Sequence, residues 1–164
     1  MSDRIDQILA QWKRERPDLD MTPMGLIGRI QRVAAALRPL LDETHEESGL
    51  QGDSFDVLAS LRRSGPPYQL TPTELYREMM LTSGAMTNRI DKLESAGLVT
   101  RRPDPDDRRG TLVRLTAKGK ALIDTATTKH VANEERLMSV LAPREQQQLN
   151  ELLRKLLVRL GDRS

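Results

Sequence analysis

The stretch from Leu70 to Thr116 constrains the fold most, because caps, stops and turn residues alternate there at spacings that few arrangements of short elements satisfy. Thr71-Pro72-Thr73-Glu74 opens a helix: Thr71 caps it, Pro72 suits the first helical position and Glu74 completes a capping box. That helix is expected to reach about Met80. Thr82 offers a second cap, and Met86, Ile90 and Leu93 follow at spacings of four and three before Gly97 stops the helix. At roughly 100° per residue those three side chains point one way. Gly84, Asn88, Asp91 and Ser95 then lie opposite, Ala85 and Lys92 to one side, and Arg89 on the flank nearer the apolar face.

After Gly97 comes the β-prone run Leu98-Val99-Thr100-Arg101-Arg102. Pro103 to Gly110 reads as a hairpin loop, and Thr111-Leu112-Val113-Arg114-Leu115 returns with alternating character. Helix, tight turn, helix and hairpin in this order make a winged helix-turn-helix, which presents one helix and one loop to duplex DNA. The outer face of the second helix is small and hydrogen-bonding, as close approach in a major groove requires. Candidate DNA contacts are therefore Thr82, Ser83, Gly84, Ala85, Thr87, Asn88, Arg89 and Lys92. At the loop tip Arg108 and Arg109 are long enough to enter a minor groove, where narrowed phosphate walls concentrate negative potential. The neighbouring aspartates make sense if one of them, most simply Asp107, buttresses an arginine through charge-assisted hydrogen bonds.

Net charge over the 164 residues is only +2, so the distribution of charge matters more than its sum. Residues 42–56 carry Asp42, Glu43, Glu46, Glu47, Asp53 and Asp56 without a lysine or arginine. Residues 98–120 carry Arg101, Arg102, Arg108, Arg109, Arg114, Lys118 and Lys120. Positive charge is thus focused on the wing and its flanks, as a local DNA footprint requires. The absence of cysteine excludes a disulfide framework and a thiol switch. No apolar run approaches the roughly 18 residues of a membrane span, and no signal-peptide core opens the chain, so a cytoplasmic protein with no membrane partner is expected. Aromatics are confined to Trp12, Phe55, Tyr68 and Tyr76, too few for stacking on single strands. Catalysis is not expected: His45 and His130 are far apart in sequence, neither has a second histidine or a cysteine at metal-ligand spacing, and no phosphate loop or nucleophile elbow is present. No cofactor and no metal follow.

Around this lobe the chain reads as helices. Ile5, Ile8, Leu9 and Trp12 share a face of a short helix that Pro17 ends, with the tryptophan read as core. Thr22-Pro23 caps a long helix carrying Ile27, Ile30, Ala34, Leu37 and Leu41, which Gly49 ends. A third helix, about Asp53 to Arg63, turns Phe55, Val57, Leu58 and Leu61 inward and Asp56 outward, and Ser64-Gly65-Pro66-Pro67 breaks the chain. Beyond the wing, Thr116 caps a helix expected to extend to Leu141, and Ala142-Pro143 starts a last one with Leu149, Leu152, Leu153, Leu156, Leu157 and Leu160. That leucine stripe is wider than a small winged lobe can cover, so pairing with a second copy is expected. The expectation is a mainly α fold with a small β-hairpin wing: a single domain in which 51–116 form the winged helix-turn-helix lobe, and 1–50 and 117–164 the N- and C-terminal dimerisation helices. Two reading helices in a homodimer would meet successive major grooves of a pseudo-palindromic double-stranded operator.

The order of elements, together with Thr82-Ser83-Gly84-Ala85-Met86-Thr87-Asn88-Arg89, Gly97-Leu98-Val99, Asp104-Pro105-Asp106-Asp107-Arg108-Arg109-Gly110 and Leu115-Thr116, resembles the MarR family of dimeric bacterial transcriptional regulators. The N-terminal segment from Trp12 through Arg16-Pro17-Asp18-Leu19-Asp20 is similar to the branch of urate-responsive and aconitate-responsive repressors. The resemblance implies a ligand site at Trp12, Asp56, Arg89 and Arg101. It also implies a repressor released from DNA by a small anionic effector such as urate or a carboxylate. A winged-helix regulator with no small-molecule response, and a winged helix that binds another protein, remain as alternatives.

Overall fold

The computed structural model of the chain describes residues 2–79, 83–107 and 110–161, with the backbone alone at 52 and 83–85. It divides into two compact units, 1–43 and 44–164.

The first unit holds helix α1 (Arg4–Glu15) and most of α2 (Thr22–Glu46). Asp3 caps α1: its carboxylate accepts the Asp6 N–H at 3.0 Å while Asp6 accepts the Asp3 N–H at 2.9 Å. Both carboxylates also receive the Arg29 guanidinium, which ties α1 to α2. Ile5 is the buried residue of α1 and fits against Gly28, where an added β-carbon would stand 3.0 Å from its tip. Trp12, expected in the core, is 42% exposed. The stripe that contains it buries at its N-terminal end, where the glycine lies. Thr22 is the first residue of α2 rather than its cap, and its N–H is received by Asp20 at 2.9 Å. Pro39 lies within α2.

The second unit continues with α3 (Gly52–Arg63), β1 (Gln69–Leu70), α4 (Pro72–Met79), α5 (Ser83–Ser95), β2 (Val99–Pro103), β3 (Thr111–Leu115), α6 (Ala117–Met138) and α7 (Pro143–Leu160). The capping box of α4 is formed as expected, with Thr71 Oγ1 accepting the Glu74 N–H at 3.1 Å and Glu74 accepting the Thr71 N–H at 2.7 Å. The Thr82 cap lies outside the described residues. The hairpin is in register with Arg101 opposite Val113, and Pro103, expected in the loop, closes β2 opposite Thr111. Gln69 and Leu70 add a short strand on the other edge of β3, so the sheet runs β1-β3-β2. Helix α6 stops short of Leu141. Ala142, ahead of Pro143, is extended, as a residue before proline prefers, and the Leu141 N–H turns back to Met138.

The core of this unit gathers Phe55, Val57, Leu58 and Leu61 of α3 with Leu75, Met86, Ile90 and Leu93 of the two helix-turn-helix elements. Leu50 ahead of α3, Leu98 ahead of β2, Val99, Val113 and Leu115 of the sheet, and Ile123 and Ala126 of α6 complete it. Phe55, Val57, Leu58, Leu61, Met86, Ile90 and Leu93 are the residues that helical periodicity points inward, and the common burial of this core fixes α5 on the sheet and α3. Helix α7 has no buried residue. No helix among the described residues is long and apolar enough to cross a membrane.

Candidate nucleic-acid interface

Helix α5 divides as its periodicity requires. Met86, Ile90 and Leu93 are buried, whereas Thr87, Asn88, Asp91, Lys92 and Ser95 lie toward solvent. Ser83, Gly84 and Ala85 form its first turn. Arg108 and Arg109 lie outside the described residues. The loop around them is closed by the Asp104 N–H to Gly110 O at 3.1 Å and the Gly110 N–H to Asp107 O at 2.8 Å, and Asp104 accepts the Asp106 N–H at 3.0 Å. Gly110 is required there, since a β-carbon would stand 2.8 Å from that of Asp104.

Two arginines fasten α5 to its surroundings. Arg89, only 17% exposed, donates to Asp53 of α3 at 2.5 Å. Its other terminal nitrogen, Nη1, is buried with no acceptor among the described residues. Arg101 reaches from β2 to two carboxylates one turn apart on α5, donating to Asp91 at 2.5 Å and to Glu94. Glu94 also accepts the Arg101 backbone N–H at 2.9 Å. That backbone bond, reinforced by the guanidinium, holds the Glu94 carboxyl below the usual carboxylate range. Burial works against the charge of Arg101, and its bonds to Asp91 and Glu94 outweigh that, raising its pKa. The wing base and α5 therefore form one charge-bonded piece.

Of the four residues implied for a ligand, Asp56 is exposed on α3, while Arg89 and Arg101 hold α5 from the α3 side and the wing side. Trp12 belongs to the first unit. A cleft of about 150 Å³ between α4 and the start of α5 is lined by Pro72, Thr73, Tyr76, Met86 and Thr87, none of which was singled out for the ligand.

Two clusters lay beyond sequence reasoning. His45 is buried and stacks on Phe55 with ring centroids 4.1 Å apart, and its Nε2 lies 3.0 Å from Nδ1 of His130. His130 in turn meets Glu134 at 3.1 Å. Arg62 and Lys120 lie 5.0 and 5.6 Å from the centre of the Tyr68 ring, and Asp124 bonds both cations. His45 and His130, and Arg62 and Asp124, are separated by long stretches of chain, and no local pattern announces those pairings.

The MarR family pattern matches residues 48–110, the span from the end of α2 to the wing. Over 149 residues the chain is 38% identical to the HTH-type transcriptional regulator PecS of Dickeya dadantii, covering 91% of this chain and 90% of that protein. This chain belongs to the MarR family. Among solved MarR structures, a mutant MarR of Escherichia coli complexed with operator DNA aligns with a TM-score of 0.71 at 30% identity, covering 95% of this chain and 99% of that one. AbsC of Streptomyces coelicolor, at 23% identity and a TM-score of 0.78, shares the fold over 88% of this chain and 98% of its own. As a MarR-family protein the chain is a DNA-binding transcriptional regulator with a winged helix-turn-helix, not an enzyme.

Proposed function

We propose that the chain acts as a homodimeric repressor that a small anionic ligand releases from a pseudo-palindromic operator, in the manner of the urate- and aconitate-responsive branch. The observation that carries the ligand response is Arg89: a half-buried side chain on the reading helix, whose buried Nη1 lacks an acceptor among the described residues, holds donors that a carboxylate or urate oxygen would satisfy. In this reading Thr82, Ser83, Gly84, Ala85, Thr87, Asn88, Arg89 and Lys92 meet the major groove. Arg108 and Arg109, steadied by Asp107, enter the minor groove. Trp12, Asp56, Arg89 and Arg101 receive the ligand.

Release follows from competition. An anion drawn to Arg89 and Arg101 competes with Asp53, Asp91 and Glu94 for the guanidinium groups that fasten α5 to α3 and to the wing. Helix α5 then moves, and simultaneous contact with two grooves is lost. A coupling of about 1–3 kcal/mol changes DNA affinity roughly 5- to 150-fold. Support for the homodimer is the run Leu149, Leu152, Leu153, Leu156 and Leu157 on α7, all exposed in the single chain and more apolar than a solvated helix face tolerates.

The test is a DNA titration with urate and a panel of small carboxylates, present and absent, on the full chain and on Arg89→Ala. Release by at least one anion, blunted in Arg89→Ala at matched DNA occupancy, is expected. Binding that no anion alters would leave a winged-helix regulator without a small-molecule response.

A further inference from the structure

Helix α5 ends at Gly97, whose φ of +69° suits glycine, in a closing turn where the Gly97 N–H returns to Glu94 O at 2.8 Å and the Leu98 N–H to Leu93 O at 2.9 Å. The next carbonyls, those of Ala96, Gly97 and Leu98, point at the first turn of α6. Each is received there by a different group. Lys118 Nζ donates to Ala96 O at 2.9 Å, the Thr116 hydroxyl to Gly97 O at 2.8 Å, and the Thr116 backbone N–H to Leu98 O at 3.1 Å. Gly119 closes the junction by letting the two backbones touch.

From this geometry we infer that Lys118 is a positioning residue for DNA recognition. Its charge is committed to the carboxyl end of the reading helix, where the helix dipole leaves negative potential, and not to a DNA phosphate. By composition Lys118 belongs to the basic run around the wing, which the sequence reads as a local DNA footprint. The bond has leverage. With 13 residues at about 1.5 Å each, α5 is about 20 Å long, and a tilt of about 3° about its carboxyl end carries its first turn about 1 Å sideways. That displacement is enough to spoil hydrogen bonds to base edges, whose useful range is only a few tenths of an ångström wide. Glu94 and Arg101 restrain the same helix from the wing, so losing Lys118 loosens the helix without freeing it.

The inference rests on α5 being the reading helix, which Asn88→Ala tests separately: that change should weaken binding to a selected duplex whatever happens at Lys118. Wild type, Lys118→Met and Lys118→Gln are titrated, as full chains, against a duplex that the wild type selects from a random pool and against a scrambled duplex. Both titrations run from about 50 to 200 mM salt. Methionine keeps the length and loses the donor; glutamine keeps an N–H donor without the charge. Lys118→Met should lose about five-fold in affinity for the selected duplex, the scale of one ordinary hydrogen bond. Its salt slope and its affinity for scrambled DNA should be unchanged, and amide exchange at 96–98 should quicken. Lys118→Gln, which keeps a donor but loses the charge, should fall between wild type and Lys118→Met. A phosphate contact would instead lower the salt slope by about one in both variants. Equal losses in the two variants, a shallower slope in Lys118→Met, or no loss in Lys118→Met overturns the assignment.

Discussion

Gly119→Ala sets two known effects against each other at one position. Gly119 lies in the first turn of α6, and replacing a glycine inside a helix by alanine ordinarily stabilises by about 1 kcal/mol. Here the added β-carbon would stand 2.0 Å from Leu98 O, 2.9 Å from Leu98 C and 3.2 Å from Leu98 Cα. A carbon and a carbonyl oxygen settle at about 3.3 Å, so one backbone must retreat by about 1.3 Å. No flexible side chain can yield, because the obstacle is main chain already bonded to Thr116. Overpacking costs about 1–3 kcal/mol where side chains can adjust, and more where they cannot. We place the cost at about 3 kcal/mol or above, a net loss of about 2 kcal/mol after the propensity gain. At about 2–4 °C per kcal/mol the melting temperature should fall by about 4–8 °C. Calorimetry at fixed protein concentration measures this, since the melt of an associating chain depends on concentration. DNA affinity should fall as well, because the displaced junction carries the end of α5. A variant that melts at or above wild type would refute the argument, by showing that the contact between α6 and Leu98 is loose.

Other outcomes follow from the same geometry. Glutamate at both Leu152 and Leu156, exposed on α7 in the single chain, should yield a monomer by sedimentation with a folded winged lobe; a persistent dimer would move the interface elsewhere. Glu94→Gln keeps the shape of the side chain but removes its charge from Arg101, so the wing base should loosen, affinity for a selected duplex should drop several-fold, and the melting temperature should fall modestly. Acid sensitivity has a defined sign. Glu94 is made more acidic first by the Arg101 backbone N–H, Asp124 by Lys120 and then Arg62, and Glu74 by the Thr71 N–H. The stability these carboxylates add is therefore complete above their unfolded values near pH 4 and is lost as pH falls through their lower folded values. Urea unfolding at about pH 6 and about pH 3 should show the loss, and equal stability at the two would contradict it.

Much of the DNA-binding lobe was legible from residue order because the signals there are local. Thr71, Pro72 and Glu74 act within one helical turn, Gly97 stops α5 through its own backbone, and the alternation across 111–115 places Val113 and Leu115 inward with no knowledge of what covers them. Angular arithmetic also put Arg89 on the buried flank of its helix, where it lies. The same arithmetic is silent on depth and on partners. It read Trp12 as core because a helical stripe says which residues share a face, not how far along it burial extends.

Tertiary structure alone decided which charges meet. Asp53 is the α3 carboxylate bonded to Arg89, Asp91 and Glu94 bond Arg101, His45 finds His130, and Lys118 is spent on the end of a helix. Each of these pairings is chosen by the small final separation of two backbones that the sequence leaves apart. Helices and turns are determined over a few residues by sterics and capping, so the order of amino acids suffices for them. Ion pairs and shared protons depend on ångström differences in position, and only the packed core sets those.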